Sequence, residues 1–187
     1  MTFKLCLIPL VLMSAAMAET VPVTATIKET RQVVKGAQVV ESSVRDGALY
    51  RGSDGSTLRQ FKDRGQLSTP LKSYAIDYAN RKVMEMPRDQ GVEDYRGMKS
   101  LGENTVAGIR CKLIAVEAQG PTDTKAQKVG TACVSAEYGL MLRQETSYRR
   151  KDGMIVHVVM ELSNVQLHSE PEARVFEVPK DFEQGQR

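Results

Sequence analysis

The sequence predicts a mainly β protein with a single antiparallel sheet, curled or closed, and one or two short helices. Two observations lead there. Short stretches rich in Val, Thr, Ile and Tyr recur along the chain, separated by Gly, Pro, Asn and Asp turn signals. Little of the chain carries the apolar spacing of a helix. About eight to ten short strands joined by hairpins follow from this pattern.

The elements run in order as follows. Val21 to Thr30 alternates loosely and is rich in Val and Thr. Gln38 to Arg45 leads into Asp46-Gly47, a hairpin turn signal, and then Ala48 to Gly52. Ser53-Asp54-Gly55-Ser56 is a second turn, and Thr57 to Arg64 is expected to form a short helix. Leu71 to Tyr78 alternates, with Tyr74, Ile76 and Tyr78 on one face. Asn80-Arg81 turns the chain so that Lys82 to Met86 pairs back. The polar stretch Pro87 to Gly102 is expected to be a loop with a helical turn. Gly108 to Val116 and Lys128 to Val134 read as strands around the turn-rich Gly120-Pro121-Thr122-Asp123. Gly139 to Arg149 and Met154 to Val165 flank Lys151-Asp152-Gly153, a hairpin tip. Met154 to Met160 is apolar on both faces apart from His157, which predicts a central strand covered on each side. Pro171 and Pro179 frame a last short segment, Arg174 to Val178.

The first 18 residues read as a secretory signal, cleaved after Ala18. Lys4 supplies a positive start, Leu5 to Met13 an apolar stretch, and Ala16-Met17-Ala18 the small residues at the cleavage point. The apolar stretch is too short for the ~20 residues that span a bilayer. Cys6 lies at the start of that stretch, not at its end where a lipidated cysteine belongs. The expectation is a periplasmic mature chain, residues 19–187, folded as one domain with no transmembrane segment. Losing Lys4 takes the formal charge from +3 to +2, which implies no nucleic-acid partner.

Two cysteines then remain, Cys111 and Cys133, and an even number in an exported chain suggests a disulfide. With the hairpin centred near Thr122, each lies eleven residues from the centre and they oppose each other directly. Opposed Cβ atoms lie about 4.5–5.5 Å apart, within bridging reach. A closed loop of about twenty residues corresponds to roughly 3 kcal/mol in the chain-entropy model.

The chain offers little chemistry. His157 and His168 are the only histidines and have no metal-ligand spacing. His157 reads as a packed, hydrogen-bonded residue beside a hairpin tip. Gly52-Ser53-Asp54-Gly55-Ser56 lacks the spacing of a nucleophile elbow. The acidic Glu93-Asp94 and Glu170 to Glu172 sit in loop-like segments. No catalytic residue, metal or cofactor is expected. Arg149-Arg150-Lys151 would suit an anion or a partner, and more simply forms a solvated tip. Met84, Met86, Met141, Met154 and Met160 fall on predicted strands, where they would suit an ordinary core or an adaptable apolar pocket.

Four stretches together resemble a known family. They are Ser73 to Tyr78 with Lys82 to Met86; Leu101 to Cys111 (LGENTVAGIRC); Ala136 to Arg143 (AEYGLMLR); and Glu161 to Val165 (ELSNV) followed by Glu172 to Pro179 (EARVFEVP). Their order resembles the outer-membrane lipoprotein-sorting and carrier superfamily, the LolA-like periplasmic proteins, over residues 73–182. The resemblance implies an antiparallel half-barrel with an apolar concave face. It implies binding of a lipid, an acyl chain or a lipoprotein, as in the carriers, or of an envelope protein, as in the stress-sensing members. On this reading the acyl chain would lie against Tyr74, Ile76, Tyr78, Val156, Val158 and Met160. Which alternate set faces inward stays open, since a one-residue slip exchanges the faces.

Overall fold

The computed structural model describes residues 20–87, 98–119 and 127–185. The leader, the turn at 120–123 and most of the stretch from Pro87 to Gly102 lie outside the described residues. Among the described residues, twelve strands form a single sheet: β1 Val23–Lys35, β2 Gln38–Arg51, β3 Thr57–Phe61, β4 Arg64–Ser68, β5 Ser73–Asp77, β6 Lys82–Met86, β7 Ser100–Val106, β8 Ile109–Gln119, β9 Gln127–Ser135, β10 Leu140–Arg149, β11 Ile155–Leu167 and β12 Glu183–Gly185. The order across the sheet is β12-β6-β5-β4-β3-β2-β1-β11-β10-β9-β8-β7. All neighbours are antiparallel except β12, which runs parallel to β6. The chain meanders outward from β1 to β6, restarts at the far edge with β7, and meanders back until β11 docks on β1. The two end strands are not paired with each other, so the sheet is an open, curled half-barrel.

Several hairpins fall where the sequence places them. β5 pairs with β6 around the Asn80-Arg81 turn, with Asp77 opposite Lys82. β10 pairs with β11, Arg149 opposite Ile155, across the Lys151-Asp152-Gly153 tip. β11 is central, between β1 and β10.

Three expectations are corrected. Asp46-Gly47 is not a turn: β2 runs through it, and the chain reverses at Gly36-Ala37, with Gly36 at φ +61°. Gly47 serves a different need. A Cβ there would meet the Gln60 carbonyl oxygen at 2.4 Å and the Phe61 ring at 2.8 Å. β3 thus approaches too closely for any side chain. Second, Thr57 to Arg64 is no helix but β3, a tight turn and β4, with Leu58 opposite Leu67. Third, Ser100–Gly102, assigned to the loop, begins the edge strand β7. The last short segment, framed by Pro171 and Pro179, makes a 3-10 turn at Ala173–Phe176.

Bulges curl the long strands. β11 carries one extra residue at Asn164, φ +50°, between the pairs Thr26–Ser163 and Thr24–Gln166. Further register shifts fall in the β1–β2, β9–β10 and β7–β8 ladders. Each bends its strand and adds right-handed twist. The main core fills the inside of the curl. Ile27, Leu49, Phe61 and Leu162 pack there in one buried cluster with Val106, Cys111, Cys133 and Leu142 from the opposite end of the sheet. A second core lies on the outer face of β3–β6, where Leu58, Leu67, Ile76 and Val83 are covered by Val175, Phe176, Val178 and Phe182. The C-terminal segment is therefore a strap that seals the outer face.

Cys111 and Cys133 are joined in a disulfide, with Cα atoms 5.3 Å apart and a sequence separation of 22. They are not directly opposed, as expected from a hairpin centred at Thr122. Cys133 faces Leu113, so the ladder is shifted by two and the bond runs diagonally between β8 and β9.

Candidate functional site

The ladder register fixes the inner face strand by strand. Val23 faces Arg51, Arg51 faces Thr57, Thr57 faces Ser68, and Ser68 faces Ser73. Paired residues point to the same side of a sheet, so these side chains form one row. The next row is Ala25, Leu49, Arg59, Gln66 and Ala75. On the other flank of β1, Ile27 faces Leu162 and Glu29 faces Met160. The inner face is thus largely polar across β2–β5, and apolar across β11 and the first part of β1.

A cavity of about 450 Å³ opens where the two halves meet. Its apolar side carries Ile27, Leu49, Leu140, Met141, Met160 and Leu162, and its polar side Arg51, Thr57, Arg59, Gln66, Ser68 and Ser73. β5 and β10 stand six places apart in the sheet order, yet both line this cavity. Only a strong curl brings them together. Ligand pockets commonly enclose about 300–1,000 Å³ and combine apolar walls with a few polar groups.

Arg51 is the dominant polar feature. It is only 8% exposed. Its Nε donates to the Val21 carbonyl at 2.9 Å, and its two terminal nitrogens donate to the Gly139 and Tyr138 carbonyls at 3.0 and 2.9 Å. These bonds tie the end of β2 to the β9–β10 turn, across β1 and β11 in the sheet order. Burial pulls the guanidinium below its ordinary pKa, because desolvation disfavours the charged form. An arginine still stays charged at neutral pH. No carboxylate pairs with it among the described residues. Asp54, also on the cavity lining, is held by the Ser56 backbone N–H and hydroxyl, both at 2.8 Å. Ser68 and Ser73 share a hydroxyl–hydroxyl hydrogen bond of 3.1 Å.

The six residues expected to line a ligand do not share a face. Val156, Val158 and Met160 lie on the inner side with Leu162, and of the six only Met160 lines the cavity. Tyr74, Ile76 and Tyr78 alternate with the inward Ser73, Ala75 and Asp77, and belong to the outer core beneath the strap. The basic run does not line the cavity either. Arg149 donates to the Gly153 carbonyl at 3.2 Å, Arg150 pairs with Asp152 at 2.9 Å, and Lys151 is exposed. His157 sits opposite Ser147 across the β10–β11 ladder, its Nδ1 2.7 Å from the Ser147 hydroxyl. That pair points away from the Val156–Val158–Met160 face, and its geometry is that of a cross-strand hydrogen bond. Among the described residues no group of three or more His, Cys, Asp or Glu is arranged to hold a metal.

Sequence reading missed Arg51 and the polar row. A signal existed: in Ala48 to Gly52, Arg51 shares the face of Leu49, an arginine on an apolar face.

No protein-family model matches the chain, and no curated protein matches it in sequence. Solved structures do. An uncharacterized conserved protein from Thermus thermophilus superposes at a TM-score of 0.54 with 12% identity, covering 90% of this chain and 91% of that one. Structural neighbours also include a LolA superfamily protein, NE2245 from Nitrosomonas europaea, at a TM-score of 0.38 and 8% identity over 83% of this chain and 90% of that one. The Pseudomonas aeruginosa MucA/MucB complex matches at a TM-score of 0.39 and 16% identity over 88% of this chain and 58% of that one. The likeness to the Thermus protein, at 12% identity over nine-tenths of both chains, is one of overall fold.

Proposed function

We propose that this chain is a non-catalytic binding protein of the bacterial envelope. In this reading it is exported by its first 18 residues and binds the apolar part of a lipid, acyl chain or lipoprotein inside its curled sheet. The observation that carries the proposal is the 450 Å³ cavity, with one side built from aliphatic and Met side chains. Side chains fill the rest of the curl, so the space left suits one chain better than several. The test is native and denaturing mass spectrometry of the protein purified from the periplasm. A ligand mass lost on denaturation, and absent from a Met160→Glu variant, supports the reading; an unliganded mass that takes up no fatty acid opposes it.

A second reading, partner-protein binding, is favoured by a separate feature. Val39, Val40 and Val44 on the β1–β2 hairpin are each about half exposed, at 49%, 49% and 54%. Capture of one envelope protein by the wild type and not by a Val40→Lys, Val44→Lys variant would support it.

A further inference from the structure

The cavity is two-sided, and the asymmetry names a ligand class. We propose that it takes a single-chain amphiphile carrying one oxyanion, a carboxylate or a phosphate, with the oxyanion at Arg51 and the apolar chain along Ile27, Leu49, Met160 and Leu162. This rests on the binding reading above and deepens it.

The Arg51 guanidinium carries the preference for an anion. It has five N–H donors, and the three carbonyl bonds use three. Two remain on a group that lines the cavity. A buried charge is costly unless paired, and carbonyl dipoles satisfy donors without cancelling charge. An oxyanion supplies the missing charge and accepts charge-assisted hydrogen bonds. The neighbours suit the same group. Thr57, Ser68 and Ser73 stand beside Arg51 in one row; the Thr57 hydroxyl bonds the Gly55 carbonyl only at 3.5 Å, and the Ser68–Ser73 pair shares one bond and leaves one hydroxyl hydrogen to donate. Arg59, one row in, adds a second guanidinium to the lining. Asp54 contributes the opposing charge, with its oxygens turned to Ser56. A neutral ligand would fill the apolar side equally well and leave the Arg51 charge unpaired.

The polar row also places the chain. Arg51, Leu49 and Gly47 succeed one another on the inner face of β2, and Leu162 and Met160 on that of β11. A head at Arg51 therefore sends its chain between β2 and β11, over Leu49, Ile27, Leu162 and Met160.

The experiment uses the folded, delipidated mature protein and cis-parinaric acid, a fluorescent fatty acid, against its methyl ester. The acid should bind at least tenfold more tightly than the ester. Thr57→Glu, which sets an internal carboxylate beside Arg51, should lower the acid's affinity at least tenfold and leave the ester's within about twofold. Thr57 takes no part in the three Arg51–carbonyl bonds. Competition then identifies the head: displacement by laurate or by dodecyl phosphate supports the proposal, the stronger competitor marking the native oxyanion. Displacement by inorganic phosphate alone at the same concentration would overturn it, because the chain would then contribute nothing. Equal binding of acid and ester overturns the oxyanion and leaves the binding reading intact. Binding of neither overturns both.

Discussion

At the scale of single residues, the fold turns on a few side chains whose surroundings leave no alternative. Arg51 joins β2 to the β9–β10 turn through three carbonyls. Replacing it with Met removes all three donors and leaves carbonyls without partners in a buried place. Each such loss costs about 1–3 kcal/mol, so Arg51→Met should destabilise by ~3 kcal/mol or more in urea unfolding. Gly47 is constrained by contact. Gly47→Val should destabilise severely, since the Gln60 carbonyl already lies 2.4 Å from a Cβ at that site. Tyr78 gives a pH signature. Burial raises its phenol pKa above 10.0, and its ring stands edge-on to Phe182 at 6.0 Å. The neutral phenol is therefore favoured in the folded state. Its contribution is complete below the unfolded pKa of about 10 and is lost as pH rises through the folded value. Phenolate titration should show Tyr78 ionising late, and Phe182→Ala should return it toward the ordinary value.

At the scale of elements, local pattern and long-range pairing separate cleanly. The β5–β6 and β10–β11 hairpins were legible because their strands alternate around short polar turns. Asp46-Gly47 misled because Gly has two uses: a turn conformation and a close approach between backbones. The sequence motif is the same, and only the position of β3 distinguishes them. Thr57 to Arg64 reads locally as a short helix, and only the pairing of Leu58 with Leu67 of β4 makes it a strand and a turn. β12 was invisible because three residues, Glu183–Gly185, form a strand only against β6. The disulfide pairing was legible, while its register was not: Cys133 stands opposite Leu113, two residues from the direct opposition to Cys111 that the sequence suggested. The Cys111–Cys133 bond should contribute ~3 kcal/mol, read as a lower unfolding midpoint in the Cys111→Ser, Cys133→Ser double variant. Intact-mass analysis finding two alkylatable thiols in periplasmic protein would contradict the bond. The strap makes its own prediction: Phe176→Ala with Phe182→Ala should cost ~2–4 kcal/mol by lost apolar burial and expose the β3–β6 face.

At the scale of the whole molecule, curl turns a flat ladder into a surface that encloses a cavity. The half-barrel was predictable from strand number and from the family resemblance. The cavity was not, because assigning its faces needs the register of every neighbouring strand from β5 across to β10 at once. The central claim is that ligand enters the inner face and that the outer face is sealed core. Methyl NMR of the delipidated protein titrated with laurate tests it most directly. Methyls of Ile27, Leu49, Met160 and Leu162 should shift together and saturate, while Ile76, Leu67 and Val83 beneath the strap stay in place. Saturable shifts confined to the outer set, or none in either set, would contradict the account.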